Sequence, residues 1–333
     1  MQQLQRMAAV RALLCTQWCG PEGLKVEELP EPEPGPQEAV VRVKVAALNF
    51  FDTLIIQGKY QVRPPLPFSP AAEVAGVVVK TGADAGSLRV GQRVMGFLGW
   101  GGARELVAVE ASRLIPIPDA VDDDCAASLQ VVYGTALHAL KDRADLKPGE
   151  QLAVLGAAGG TGQAAIEIGK LLGARVIACA SSDDKLAFCR TLGADASVNT
   201  SKEDLKDALR TASGGKGVDV VFDAVGGGAS EAAFRAVGWR GRHLVIGFAA
   251  GDIPRLPLNL PLLKEGTIMG VHWGKHVARD PKGHREETRQ ILQWAADGLI
   301  KPHIDGTYQL EEAAQAFDAI NRRTVKGKLV LVP

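Results

Sequence analysis

Two stretches carry residues whose types and spacing could do chemistry together. The first is QLAVLGAAGGTG, Gln151 to Gly162. Gln151 to Leu155 has the character of a buried strand, Gly156 to Gly162 is a glycine-rich turn, and Gln163 to Leu172 is an apolar-periodic helix. That order suits a dinucleotide pyrophosphate. Glycine lets the backbone approach phosphates closely, and the first N–H groups of a helix have no acceptor within it. Read as G/A-x-G-x-x-G, the register is Ala157, Gly159, Gly162, which sets Ala158, Gly159, Gly160, Thr161 and Gly162 around the anion.

The second stretch follows the next strand, VIACA, which ends in Ser181-Ser182 with Lys185 just beyond. An acidic residue here would hold a ribose 2′-hydroxyl and repel a 2′-phosphate. Hydroxyls and an ammonium instead suit the phosphate, so the reading is NADPH over NADH. Asp183 and Asp184 run against it unless they serve as first-turn residues of the helix DDKLAFCRTLG, where the dipole favours them.

Positioning these residues requires strands alternating with helices. After Gln151–Leu155 come strand patterns at Arg175–Ala180, Ala196–Asn199, Val218–Asp223, His243–Phe248 and Thr267–Trp273, with helical stretches between. Near-continuous apolar strands of this kind predict a doubly wound parallel sheet covered on both faces, an α/β Rossmann arrangement. Residues 8–118 read differently: short strands, glycine turns, the loop Pro30 to Pro36 and a short helix over Asn49 to Gln57 predict a mostly antiparallel, barrel-like domain. Arg285–Asp297 and Glu311–Asn321 read as helices and Lys328–Val332 as a closing strand. The expected division is a first part over 1–130, a nucleotide-binding domain over 131–272, and a return to the first domain over 273–333.

Composition narrows the partners. Thirty-eight basic residues balance thirty-eight acidic ones, which argues against nucleic acid or a polybasic membrane contact. No apolar run approaches the roughly 18 residues of a membrane span. The opening MQQLQRMAAVRALLC lacks a signal-peptide pattern and turns strand-like, so Met7 is as natural a start as Met1 and a cytoplasmic setting is expected. Five cysteines form no disulfide framework, and Cys15 with Cys19 lacks a second ligand pair to complete a zinc site.

The motifs ALNFFDTLIIQGKY, AEVAGVV, GAAGGTG, FDAVGG and NRRTVKGKLVLVP, with the K-L spacing at Lys185, resemble the zinc-free quinone oxidoreductases related to zeta-crystallin, in the medium-chain dehydrogenase/reductase superfamily. The resemblance runs nearly end to end and implies a GroES-like catalytic domain split around the Rossmann domain, with NADPH in the cleft, a homodimer, and hydride transfer to a small quinone or enone. Zinc-dependent members would carry cysteine at Asn49 and histidine at Ala72, and Phe97 to Leu114 lacks their structural-zinc cysteines, so no metal is expected. By the same resemblance, Asn49, Phe50, Asp52 and Thr53 begin the active-site helix. Thr135 lies near the nicotinamide, Lys185 and Arg323 serve the 2′-phosphate, and Phe248 to Ala250 line the nicotinamide side. Two family tyrosines fall on Thr200, at the phosphate, and on Leu54, in the acceptor pocket. Tyr60 is retained and is the candidate proton donor, with His272 second; Trp273 joins them in the acceptor pocket. The alternatives are an enoyl or 2-alkenal reductase on the same scaffold, and a non-catalytic NADPH-binding structural or sensor protein.

Overall fold

The computed structural model describes residues 9–333. The reading of the first residues as lacking a signal peptide falls mostly outside them. In chain order the elements are β1 (Ala9–Leu14), β2 (Lys25–Pro30), β3 (Glu38–Leu48), α1 (Phe50–Ile55), β4 (Glu73–Thr81), β5 (Arg93–Phe97), β6 (Leu106–Glu110), β7 (Leu114–Pro116) and α2 (Asp123–Ala127). Next come α3 (Gln130–Leu137), a π-helical turn (His138–Arg143), β8 (Gln151–Leu155), α4 (Gly160–Leu171), β9 (Arg175–Ala180), α5 (Asp183–Thr191), β10 (Ala196–Asn199) and α6 (Leu205–Ala212). β11 (Val218–Asp223), α7 (Gly227–Ala236), β12 (Val237–Val245), α8 (Asn259–Lys264), β13 (Thr267–Gly270), α9 (Trp273–Arg279) and α10 (Pro281–Ala296) follow. The chain closes with β14 (Ile304–Gln309), α11 (Ala313–Asn321) and β15 (Lys328–Val332).

Two compact units result: Met1–Gln130 with Ile304–Pro333, and Val131–His303. The chain therefore returns to the first unit at Ile304, not at Trp273. The reason lies in α9 and α10. Trp273 is buried against Gly134, where an added Cβ would lie 2.6 Å from the indole Nε1, and its ring meets His284 of α10 edge-on at 5.4 Å. These contacts keep residues 273–303 with the second unit.

In the first unit a seven-stranded sheet has the order β14-β15-β3-β4-β5-β7, with β6 pairing β3 off that path. All its pairings are antiparallel except β14 with β15. The long strand β3 is fixed by its sequence: Val41, Val43 and Val45 are buried while Arg42 and Lys44 between them are exposed, the period-2 pattern of a half-buried strand. One core gathers Leu48, Ile55, Ile56, Phe68, Val74, Leu114, Phe317 and Leu331 beneath this sheet.

In the second unit the strand order is β10-β9-β8-β11-β12-β13, every pair parallel. This is the doubly wound α/β Rossmann arrangement, with the strand order reversing beside β8. Apolar side chains on β8, β9 and β11 are buried on both faces, as a sheet covered by helices requires. The expected sixth strand stops early: β13 ends at Gly270, and His272 caps α9, its Nδ1 accepting from the Lys275 N–H at 3.2 Å. β14 and α8 carried no clear periodicity and were not anticipated; β14 alternates with only intermediate burial, and α8 is mostly exposed.

Candidate functional site

In the first unit the candidates gather at the start of α1. Asn49 occupies the cap position, and its backbone N–H donates to Asp52 Oδ2 at 2.8 Å. Its side chain also reaches two strands. Nδ2 donates to Glu73 Oε1 at 3.0 Å, and Oδ1 accepts from the Lys328 ammonium at 2.7 Å. Lys328 Nζ also donates to Glu73 Oε1 at 3.0 Å and to the Leu48 carbonyl at 2.8 Å. All four side chains, Asn49, Asp52, Glu73 and Lys328, are buried. Buried charges persist only when paired and hydrogen-bonded, and here one ammonium meets three oxygens.

Glu73 and Lys328 were not singled out as functional from the sequence. Their signal was a charged residue opening each of two otherwise apolar strands, EVAGVVV and KLVLV. Burial pushes Asp52 up to about 7, against the pull of the Asn49 N–H and Lys328. Tyr60 stacks on Phe51, ring centroids 5.4 Å apart and planes 21° from parallel. Burial, with the Asp52 charge, raises its phenol above the ordinary range and keeps it protonated. Leu54 lies half-buried on α1, and Thr53 is buried with its hydroxyl donated to the Phe50 carbonyl.

The donor set does not fit a catalytic zinc. Asn49 offers an amide oxygen already engaged by an ammonium, Ala72 offers nothing, and thiolate or imidazole ligands are missing from both positions. Cys15 and Cys19 lie side by side with Sγ atoms 3.9 Å apart, and burial pushes Cys15 up to about 12.

In the second unit the glycine turn joins β8 to α4. The sharp turn falls on Gly156, at φ +67°, so the first-glycine role belongs to Gly156 and not to Ala157, which is buried. An added Cβ on Gly162 would lie 2.3 Å from the Gly156 carbonyl oxygen, so only glycine lets the helix start this close to the turn. A Cβ on Gly159 would meet nothing nearer than 3.5 Å. Gly159 caps α4 without a side chain, leaving the first-turn N–H groups of Gly160 and Thr161 without an acceptor inside the helix. This cradle fits a pyrophosphate.

At the end of β9, Ser182 caps α5, accepting from the Lys185 N–H at 3.3 Å, and Ser181 is exposed beside it. The Thr200 N–H donates to the Ala180 carbonyl at 2.9 Å, which sets Thr200 at the same rim. Asp183 does begin α5, and its charge is met by Lys202 and by Asn199 Nδ2, both at 2.6 Å. Lys202 was missed, although it stands only two residues past Thr200. Arg323 lies in the first unit, exposed, at φ +56°.

Two further networks position the remaining candidates. Tyr133 donates to Glu167, joining α3 to α4 and so fixing the helix that carries Thr135. Asp223 ends β11 and accepts from the Val225 and Gly226 N–H groups, each at 2.9 Å, and from Ser230 and His243. Burial opposes its charge, yet these donors hold its carboxyl below the usual range. Ala249 and Ala250 donate their N–H groups to the Ala224 and Val225 carbonyls at 3.2 and 2.7 Å, so the Phe248–Ala250 loop is fixed to that network. His272 is exposed and Trp273 is packed into the unit.

A split sheet domain together with a Rossmann unit and an open pyrophosphate cradle defines a dinucleotide-dependent oxidoreductase class. Residues 35–119 match the alcohol dehydrogenase GroES-like domain, and residues 160–297 match the zinc-binding dehydrogenase domain. Quinone oxidoreductase-like protein 2 of Rattus norvegicus is 39% identical over 322 residues, covering 96% of this chain and 91% of that protein. A quinone oxidoreductase from Pseudomonas syringae superposes with a TM-score of 0.90 at 29% identity, covering 97% of this chain and all of that one. A mycobacterial protein solved in complex with NADPH also reaches 0.90, at 27% identity and 97% coverage. The chain belongs to the zinc-free quinone oxidoreductase family of the medium-chain dehydrogenase/reductase superfamily. It is an NAD(P)-dependent oxidoreductase acting on a small molecule. Among the described residues no helix is long and apolar enough to cross a membrane.

Proposed function

We propose that the protein reduces quinones or other conjugated carbonyls with NADPH, without zinc. The observation that carries this reading is the Lys328 ammonium bonded to Asn49 Oδ1 and Glu73 Oε1. A side-chain cation is built in beside Asn49, and a metal-polarised carbonyl has no ligands to rely on there. The chemistry left is addition to a conjugated acceptor, whose developing charge spreads over the π-system and is met by hydrogen-bond donors.

When bound, the nicotinamide supplies the hydride. The backbone N–H groups at Gly160 and Thr161 would hold the pyrophosphate. In the second unit Ser181, Ser182, Lys185 and Thr200 would take the 2′-phosphate. Lys202 supports this choice by neutralising Asp183, the carboxylate that would otherwise repel it. Thr135, Phe248, Asn49, Phe50 and Asp52 would position the nicotinamide. Tyr60 would donate a hydrogen bond or proton to the acceptor, with His272 the second candidate.

We further propose a homodimer formed through the second unit. β13 is the last strand of its sheet, and Leu258, Leu262, Leu263 and Ile268 are exposed on it and on the neighbouring α8 segment. An apolar edge of this kind is ordinarily covered by another chain. Light scattering should give twice the chain mass.

The reaction is tested by following NADPH absorbance with 9,10-phenanthrenequinone, 1,4-benzoquinone, a 2-alkenal and an enoyl-CoA, with and without a chelator. Chelator-independent consumption with the quinones is expected. Consumption confined to the alkenal or enoyl-CoA would favour a double-bond reductase, and NADPH binding without consumption across the panel would favour a sensor or structural protein.

A further inference from the structure

A second cluster of ligand-type side chains lies in the second unit, on elements the proposed reaction does not use directly. His138 opens the π-helical turn, and its Nδ1 lies 2.9 Å from Asp142 Oδ2. His276, on α9, stacks its ring on that of His138, with centroids 4.0 Å apart and planes 14° from parallel. Glu287, on α10, brings Oε1 to 3.4 Å from His276 Nε2. One ligand atom from each of His138, Asp142 and His276 lies within 4.8 Å of the other two.

As it stands the cluster is incompletely satisfied. His276 Nε2 and Glu287 Oε2 are buried without a hydrogen-bond partner among the described residues. Two carboxylates, those of Asp142 and Glu287, share the space with two imidazoles and repel one another. A cation held among these atoms would resolve both the unmet polar atoms and the repulsion.

We propose that His138, Asp142 and His276, with Glu287 as fourth ligand, form a binding site for a borderline divalent transition-metal ion such as Zn²⁺. Two imidazoles and two carboxylates are a donor set that suits zinc and its neighbours in the first transition row. Ligand atoms about 2.0–2.1 Å from a tetrahedral ion are about 3.3 Å from one another. The observed 2.9 Å and 3.4 Å separations bracket that value. The stacked rings cannot both aim a lone pair at one ion, so binding would turn the His276 ring, whose side chain is 22% exposed, about its side-chain torsions. A π-helical turn carrying two of the ligands, His138 and Asp142, fits the site, since such turns recur where function bends a helix.

The position matters. His138 follows Thr135 by three residues, and His276 follows His272 by four, so each ligand lies about one helical turn from a candidate site residue. An ion here would tie together the segments that carry Thr135 and His272. Any effect on turnover rests on the oxidoreductase reading above, whereas binding itself does not.

The test is calorimetric titration of chelator-treated full-length protein with ZnCl₂, without cofactor or acceptor. One ion per chain is expected, with a Kd tighter than about 10 µM. His276→Ala and Asp142→Ala should each weaken binding roughly tenfold or more. The Cys15→Ser/Cys19→Ser pair removes the thiols in the first unit and should leave binding unchanged. Circular dichroism confirms that each variant is folded. Binding that survives both His276→Ala and Asp142→Ala, binding abolished by the cysteine pair, or a wild-type Kd weaker than about 100 µM overturns the proposal.

Discussion

Lys328 Nζ lies 2.7 Å from Asn49 Oδ1, so the first residue of the last strand closes on the cap of the first helix. The same ammonium reaches Glu73, which is almost fully buried. Removing one member of a buried pair leaves an uncompensated charge, whereas replacing both does not. Lys328→Met should cost about 3–5 kcal/mol, and Glu73→Gln/Lys328→Met should recover much of it. Urea unfolding of the three proteins measures this; equal losses in the single and double variants would show that the pair is not coupled.

Asp52 supplies a pH dependence whose sign can be worked out. Its folded pKa of about 7 lies above the ordinary carboxylate value. The native state therefore binds more protons than the unfolded chain between about pH 4 and 7. Its contribution to stability is fully present below about pH 4 and is lost as pH rises through about 7. Asp52→Asn should flatten this part of the stability profile while keeping an oxygen to accept from the Asn49 N–H. Unfolding free energies at pH 5 and pH 8 decide it, since an unchanged difference between them would remove Asp52 as the cause.

The glycine turn separates folding from binding. Gly162→Ala places a Cβ against the Gly156 carbonyl and should destabilise the second unit by about 1–3 kcal/mol. Gly159→Ala has space for its methyl within the chain, so the melting temperature should hold. Its methyl would intrude on the cradle instead, and cofactor affinity should fall. Thermal melts and fluorescence titration of NADPH read the two effects independently.

Cofactor choice is tested at α5. Charge-assisted contacts are worth about 1.5–3 kcal/mol, so Lys185→Ala should raise the NADPH dissociation constant roughly 10–100-fold and spare NADH. Lys202→Ala should act the same way more weakly, by releasing the Asp183 charge toward the phosphate. Equal small changes for both cofactors would count against the 2′-phosphate rim.

For Tyr60, Tyr60→Phe should lower kcat with an enone by about 100-fold, the lower end of general acid catalysis. Quinone turnover should suffer less, because a reduced quinone can take its proton from water. Steady-state rates on both acceptors, with melting curves as the fold control, measure it; unchanged kcat on both removes Tyr60 from the mechanism.

Much of this was legible along the chain. The strand–turn–helix at Gln151–Leu172 and the apolar strands that follow it determine a doubly wound sheet, because burial on both faces demands unbroken apolar runs. The missing acid after VIACA and the missing metal ligands at Asn49 and Ala72 are likewise properties of residue type and position. Element ends were less legible. Thr267–Trp273 read as one strand, but a strand ends where its neighbour stops pairing, and β12 holds β13 only as far as Gly270. Trp273 then goes to α9 and carries the unit boundary with it to Ile304.

What the sequence alone determined was the set of local geometries: which segments pair, turn or wind, and where glycine is required. What only tertiary structure decided was which distant charges meet. Lys328 and Glu73 are 255 residues apart, and Asp183 on α5 and Lys202 in the turn after β10 are 19 apart. Periodicity reports the face a side chain occupies and carries no information about its partner. Once burial strips water from a charge, the partner decides whether it is stabilised, neutralised, or left to bind something else.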